Sequence, residues 1–256
     1  AEVYLICSTN GDVGTVEPHF MDGFNTVAER RLAELGCAAQ TLGLTRVFTL
    51  GYRDSGMAGT PDNLHPESLH SAPLDKVTEE IVHIIREVRP QVVITFDPFG
   101  GYGHPDHIKM YQATTAAFEA ASDPARYPNG REPYRPQKLY YHTFPRGFLK
   151  LAVQVMPLLG KDPARFGRNN DINLKEIADN SYPIHAVIRY DAYRGVAEQA
   201  RLCHASQLGS GDGGNNLLMR IWDSLSPKGD TLMRAIPPVT KREPREKDVF
   251  SGIVTE

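Results

Sequence analysis

The stretch DPFGGYGHPDH, residues 97–107, concentrates side chains that can do acid–base or metal chemistry. It holds two histidines three residues apart, His104 and His107, with Asp106 beside the second. Pro105 suits the first position of a helix, which predicts His104 near the N-cap and His107 in the first turn. Residues three apart on a helix point the same way, so both imidazoles are expected to face one cavity.

This spacing favours a metal site. A metal requires a neutral imidazole, and the positive end of a helix favours the neutral ring. Glycines before the helix let the backbone turn sharply and approach a ligand. In open parallel α/β sheets, ligands lie at the carboxyl ends of strands, and Asp97 follows the apolar run QVVIT at such an end. The alternative is a polar turn in which His104 caps its own helix.

Apolar runs alternate with helical patterns along the chain. Strands are predicted in VYLICST, RVFTLGY, QVVITFD and KLYYHTF. Helices are predicted in the segment that stops at Gly43, in LDKVTEEIVHIIREV, from Pro105 onward, and in AYRGVAEQARLCHASQ. This order indicates βαβ units and predicts the α/β class, with a three-layer Rossmann-like, mainly parallel sheet that has helices on both faces.

We expect one domain over residues 1–256, with an insertion at about 145–181 that shapes or covers a site. The insertion pairs an apolar helix, RGFLKLAVQVMPLLG, with a polar, loop-rich stretch. The tail from Gly209 is rich in Gly, Pro and charge, and is predicted to wrap the surface.

Composition excludes several classes of protein. A net charge of −3 disfavours a nucleic-acid-coating surface. No apolar run approaches the roughly 18 residues of a membrane span. The cysteines are odd in number and far apart, which argues against a disulfide framework and favours a reducing compartment. We therefore expect a cytoplasmic protein. The cysteines are Cys7, Cys37 and Cys203.

The string ITFDPFGGYGHPDH resembles the second signature of the LmbE/PIG-L-like N-deacetylase superfamily. These are zinc enzymes that remove acetyl groups from N-acetylglucosamine-containing substrates. STNGDVGT, RLAEL, RDSGMAGT and CHASQ are similar to further family segments. RDSGMAGT and GGYGHPDH together most resemble the mycothiol-pathway deacetylases and conjugate amidases. The resemblance implies hydrolysis of a small-molecule glycoconjugate with Zn²⁺, or another divalent metal such as Fe²⁺.

The resemblance also implies roles for single residues. His107 is expected to bind the metal, and His104 to assist as general acid and to stabilise the oxyanion. Tyr102 is expected to polarise the amide carbonyl. Arg31 and Asp54 are expected to hold sugar hydroxyls. From the residues alone, Arg31 could equally be a solvated helix charge, and Asp54 could be a turn-forming aspartate before Ser-Gly.

The family's first signature, Ala-His-Pro-Asp-Asp-Glu, does not occur in these 256 residues. In the family it supplies two zinc ligands and the general base. We therefore expect about 30–40 further residues before Ala1, the length of one strand–helix unit. Two alternatives stay open: an amidase that cleaves a thiol conjugate at the same zinc, and a metal-deficient sugar-binding homologue. The sequence also leaves open whether the protein forms a homo-oligomer.

Overall fold

A computed structural model describes residues 1–128, 130–144, 147–166, 172–180, 182–208, 229–240 and 243–254. The chain divides into two compact units. Unit 1 comprises Ala1–Ala72 and Tyr190–Arg220, and unit 2 comprises Pro73–Arg189 and Ile221–Glu256. Three expectations about the domain stay predictions: that residues 1–256 form one domain, that about 145–181 is an insertion, and that a further strand–helix unit precedes Ala1.

The described elements are mixed helices and strands, which confirms the α/β class. In chain order they are β1 (Tyr4–Thr9), α1 (Val27–Leu42), β2 (Arg46–Tyr52), α2 (Leu74–Val88), β3 (Val92–Phe96), α3 (Gly100–Gly103), α4 (Pro105–Ala120), β4 (Lys138–Thr143), α5 (Gly147–Val155), α6 (Leu174–Asp179), β5 (Ala186–Ile188), α7 (Arg194–Cys203), α8 (Ala205–Leu208) and β6 (Asp230–Ile236).

In unit 1, β1 and β2 pair in parallel, with Tyr4 opposite Arg46. Helix α1 connects them and begins with a capping box, in which Thr26 and Glu29 each accept a hydrogen bond from the other's backbone N–H. It ends at Gly43, whose φ of 68° is left-handed, as the sequence predicted. These local signals place α1 without help from the rest of the chain.

Helix α1 packs against α7, which comes from the distant second segment of unit 1. A disulfide joins Cys37 of α1 to Cys203 of α7, across 166 residues of sequence. The expectation from the cysteine count, which argued against disulfides, is therefore wrong for this pair. A count carries no information on which helices meet in the folded protein. Cysteine number therefore no longer supports a reducing compartment, and the cytoplasmic location stays a prediction.

In unit 2 the strands are ordered β3-β4-β6-β5. Strands β3 and β4 are parallel, whereas β6 runs antiparallel to both of its neighbours. The prediction that the tail from Gly209 is only a surface wrap is wrong, because β6 lies inside this sheet. The sequence DTLMRAI places Leu232 against Tyr140 and Ala186 in one apolar cluster. Burying that apolar surface favours a strand over an exposed tail.

Helices α2 and α4 pack together in unit 2. Helix α2 is amphipathic and buries Val77, Ile81, Val82 and Ile85. Near its end, the buried guanidinium of Arg86 donates to the five backbone carbonyls of residues 120, 121, 123, 126 and 127. Arg86 thereby holds the loop that follows α4 onto α2.

Within the described residues, no helix is long and apolar enough to cross a membrane.

Candidate active site

The glycine-rich bend between β3 and α4 is organised around Asp97. This side chain is fully buried, and its Oδ1 accepts hydrogen bonds from the backbone N–H groups of Phe99 and Gly101, both at 3.0 Å. Gly100 has a left-handed φ of 67°. A Cβ at Gly100 would lie 2.9 Å from the backbone nitrogen of Ile108, so only glycine lets the bend lie directly against α4.

His107 lies in the first turn of α4 with its ring fixed on two sides. The ring stacks on Phe96 at 3.9 Å between centroids and 9° between planes. Its Nδ1 lies 3.1 Å from the carbonyl oxygen of Gly100. A carbonyl can only accept, so Nδ1 carries the proton and Nε2 keeps its lone pair. Burial, reinforced by the nearby His104, lowers the pKa of His107 to about 4 despite the bond to Gly100.

His104 is the N-cap of α4 and has the opposite tautomer. Its Nδ1 accepts a hydrogen bond of 3.2 Å from the backbone N–H of Asp106. The single proton of the neutral ring must therefore lie on Nε2. The carboxylate of the buried Asp106 lies 3.9 Å from Nδ1. The alternative that His104 caps its own helix is thus correct, and the cap bond leaves the ring proton on Nε2.

Tyr102 lies in α3, directly before the two histidines, and meets both of them. Its ring makes an edge contact with His107 at 5.0 Å and with His104 at 5.9 Å between centroids. The two imidazoles are themselves 5.0 Å apart. The structure therefore brings together the three side chains for which the sequence predicted catalytic and metal-binding roles.

The geometry of His107 fits a metal ligand. Histidines that bind metals usually donate their second ring N–H to a carboxylate or backbone carbonyl, which fixes the tautomer. His107 shows this arrangement with Gly100, and no described residue gives a hydrogen bond to its Nε2. Enzymatic zinc sites normally use three protein ligands, so His107 is one member of such a set.

Unit 1 contains the other two predicted residues. Asp54 follows β2 in a loop that a charge network holds in place. Arg53 donates to Asp12 at 2.8 Å and to Asp62 at 2.7 Å. Asp12 also accepts from the backbone N–H of Asp54 at 3.0 Å. Asp54 itself accepts from the backbone of Gly56 at 2.8 Å. The turn-forming role open from sequence is therefore real.

Arg31 runs from α1 across the loop after β1. Its Cγ would lie 3.4 Å from a Cβ at Gly11, and its terminal Nη2 only 2.6 Å from a Cβ at Gly14. These two glycines therefore form a slot that the Arg31 side chain fills, with its aliphatic part at Gly11 and its guanidinium at Gly14. Burial lowers the pKa of Arg31, against the opposing charges of Glu34 and Asp54. The Nε of Arg31 is buried and has no hydrogen-bond partner among the described residues. Arg31 is thus half-buried against this loop, and its role in binding a sugar stays a prediction.

Comparison of the sequence with known proteins identifies the family of this chain. Residues 1–118 match the family described as PIG-L, GlcNAc-PI de-N-acetylase. A protein of Rhodococcus jostii named 1D-myo-inositol 2-acetamido-2-deoxy-alpha-D-glucopyranoside deacetylase is 33% identical over 99% of this chain and 89% of its own. The chain belongs to the PIG-L family. This confirms the resemblance inferred from the glycine-rich signature.

A second relative of the PIG-L family carries the same deacetylase name and comes from Thermobispora bispora. It is 43% identical over 61% of this chain. The chain spans only 54% of the length of that relative.

Solved structures support the fold. The N,N'-diacetylchitobiose deacetylase of Pyrococcus horikoshii superposes with a TM-score of 0.59 at 16% identity, over 91% of this chain and 72% of its own. A conserved protein of Thermus thermophilus gives 0.56 at 18% identity, over 95% and 86%. At these identities the likeness establishes the fold of a PIG-L member and nothing about its substrate.

Three site residues had no role in the sequence-based prediction: Asp97, Asp106 and Gly14. Asp97 and Asp106 lie in the string that drew attention first, but their partners are backbone N–H groups and a neighbouring ring, which spacing does not reveal. Gly14 lies in STNGDVGT, and its importance depends on the side chain of Arg31 from another element.

Proposed function

We propose that this protein hydrolyses the acetamide of a small N-acetylglucosamine conjugate, with Zn²⁺ as cofactor, and releases acetate and a free amine. Family membership supports the reaction class. The names of the Rhodococcus and Thermobispora relatives support a glucosaminyl-inositol as the substrate. The observation that carries the proposal is the opposite hydrogen bonding of the two Nδ1 atoms: that of His104 faces a backbone N–H, and that of His107 faces a backbone carbonyl. One ring offers a lone pair to a metal, and its neighbour offers a proton to a substrate oxygen.

His107 would hold one side of a divalent metal, and that metal would supply a water of lowered pKa, about 7 for zinc, and would polarise the amide carbonyl. The Nε2–H of His104 and the phenol of Tyr102 donate hydrogen bonds to the carbonyl oxygen as negative charge develops on it. The attacking water loses one proton and the departing amine gains one. We assign His104 the general-acid role in this exchange: its Nε2–H passes to the amine nitrogen, and the proton lost by the water restores the ring.

Arg31 and Asp54 bind the sugar hydroxyls in this proposal. A guanidinium offers only donors and a carboxylate only acceptors, so the two together suit hydroxyl groups, which do both. The slot at Gly11 and Gly14 directs the guanidinium of Arg31. The bonds from Arg53 and Asp12 hold the loop of Asp54.

The finer fold is part of the same proposal. The alternation of strands and helices, together with the likeness to the Pyrococcus and Thermus structures, supports a three-layer Rossmann-like arrangement.

Product analysis tests the function. The purified, zinc-loaded protein is incubated with 1D-myo-inositol 2-acetamido-2-deoxy-alpha-D-glucopyranoside, and acetate and free amine are quantified in equal amounts if the proposal holds. A thiol conjugate that yields a mercapturate faster than the glycoside yields acetate would favour the amidase alternative. Neither product from a metal-loaded protein would favour the sugar-binding alternative.

Metal analysis tests the role of His107. We expect His107→Ala to lower zinc affinity and activity together, because a ligand is removed. His83→Ala is the matched control, since His83 lies on α2 and the Nε2 of its ring is buried without a hydrogen-bond partner among the described residues. Unchanged zinc affinity in His107→Ala would exclude this residue as a ligand.

A further inference from the structure

Tyr102 is flanked on both sides by glycine, which has no side chain. It lies between Gly101, with a φ of 75°, and Gly103, with a φ of 88°. Tyr102 itself departs from helical geometry, with φ −128° and ψ 18°. Glycines have the least restricted backbones, so the position of the phenol depends on whatever packs against the ring from other elements.

An apolar cluster formed by α5, α6 and the turn between them supplies that packing. We call it the α5–α6 cluster; its buried members are Leu149, Met156, Leu174, Ile177 and Ala178. Phe99 and Tyr102 pack against it. Helix α6 lies directly against α3, the turn that carries Tyr102, and α5 lies against α6. The tyrosine ring is therefore held by the cluster and by its edge contacts with the two imidazoles.

Helix α6 is anchored independently of the bend. Its N-cap, Asn173, accepts hydrogen bonds from the backbone N–H groups of Lys175 and Glu176. The backbone N–H of Leu174 donates to the carbonyl of Pro163 at 2.9 Å. Ile177, one turn further along, is 7% exposed. Helix α6 is thus fixed at its N-terminus and places Ile177 in the α5–α6 cluster. This cluster in turn contacts the glycine-rich bend that carries Tyr102.

We propose that α6, through Ile177 and its cluster, is a positioning element for Tyr102. It holds the phenol where it can donate to the substrate carbonyl, and so sets turnover rather than substrate affinity. The inference rests on the proposed function, and it assigns α5 and α6 a task in that reaction. Misplacing a reacting group by about 1 Å can cost 10²-fold in rate.

A double-mutant cycle separates positioning from general loss of stability. We expect Ile177→Ala to lower kcat by about 10- to 100-fold, with KM and bound zinc nearly unchanged. In a Tyr102→Phe background, the same substitution should change kcat by less than about twofold, because the group being positioned is gone. Equal losses of kcat in both backgrounds would overturn the proposal. Ile177→Leu, which conserves side-chain volume, should restore most of the rate.

The matched control lies in the same segment. Leu158 is 83% exposed, so Leu158→Ala should leave kcat at the wild-type value. A loss of kcat there as large as that of Ile177→Ala would show that any change in the segment matters, and would overturn the proposal. If Ile177→Ala fails to fold, Ile177→Val removes one methyl group and the cycle is repeated with it; a kcat effect that does not depend on Tyr102 again refutes positioning.

Amide hydrogen exchange supplies a readout that needs no activity. The N–H of Gly101 is bonded to Asp97, and that of Gly103 to the carbonyl of Phe99. Ile177→Ala should speed exchange in the peptide that contains these amides, and Leu158→Ala should not. An inactive wild-type protein would refute the proposed function, and this measurement would still decide whether α6 holds the bend.

Discussion

Two substitutions at His104 should separate its structural role from its chemical role. The imidazole does two things with two atoms: Nδ1 caps α4 by accepting from the N–H of Asp106, and Nε2 carries the proton that we assign to the reaction. Alanine removes both atoms. Asparagine is among the best N-cap residues, and its side-chain oxygen can replace Nδ1 without supplying a donor at the position of Nε2.

The expected magnitudes differ for the two properties. Loss of an N-cap typically costs about 1 kcal/mol, which lowers Tm by about 2–4 °C in a protein of this size. His104→Ala should therefore melt earlier, and His104→Asn should melt within about a degree of wild type. Both variants should lose about 10²–10⁴-fold in kcat, the usual contribution of general acid–base assistance.

The assays are thermal unfolding, metal content and steady-state deacetylation, measured on the same preparations. Bound zinc should stay unchanged in both variants, because the tautomer of His104 leaves no lone pair on Nε2. Wild-type kcat in His104→Asn would remove this residue from the mechanism. Equal Tm losses in the two variants would refute the capping geometry.

Three further outcomes are expected. Gly14→Ala should raise KM with little change in Tm, because the added methyl group displaces the flexible end of Arg31; Gly36→Ala, where a Cβ meets open space, is the kinetic control, and equal KM values would refute the slot. Arg86→Ala should lower the free energy of unfolding by about 3–5 kcal/mol in urea titrations, since two buried and three part-buried carbonyls lose their donor; a loss under about 1 kcal/mol would contradict this role. Burial raises the pKa of Glu34. Hydrogen bonds from the backbone N–H and the hydroxyl of Ser206, together with the charge of Arg30, outweigh burial, so the net pKa lies below the usual 4.5. A pKa that is lower in the folded state stabilises the protein at pH values above the unfolded-state pKa, and this stabilisation is lost as the pH falls. Glu34→Gln should therefore cost about 2 kcal/mol of unfolding free energy at pH 7 and progressively less below about pH 4.5. A cost independent of pH would exclude the charge as its cause.

Local signals in the sequence predicted most of the elements near the site. Strand β2 has the predicted bounds of Arg46–Tyr52, α1 ends at Gly43, and Pro105 opens α4 with His104 as its cap. These features depend on residues within a few positions of each other, so spacing alone reveals them. The roles implied for Arg31, Asp54, Tyr102, His104 and His107 stay proposals.

Features that depend on distant parts of the chain could not be predicted. Strand β6 lies in a tail rich in Gly, Pro and charge, and its pairing with β4 and β5 makes it a strand. The disulfide of Cys37 needs a partner helix that arrives 166 residues later. The carbonyls that Arg86 binds belong to a loop that sequence shows only as polar. In each case, tertiary packing supplies information that no local pattern contains.

The discontinuity of unit 1 has a consequence for synthesis on the ribosome. Glu34 and Ser206, which bond each other through the backbone N–H and the hydroxyl of Ser206, are 172 residues apart in the chain. At about 5–20 residues per second, translation needs about 9–34 seconds to bring the second after the first. Helix α1 is synthesised long before α7 and α8. The face of α1 that carries Glu34 and Ala38 therefore stays exposed to solvent during that interval, because the helices that bury it do not yet exist. Binding sites for chaperones on the nascent chain are therefore expected on this face, and ribosome-bound intermediates that end before residue 190 should expose it.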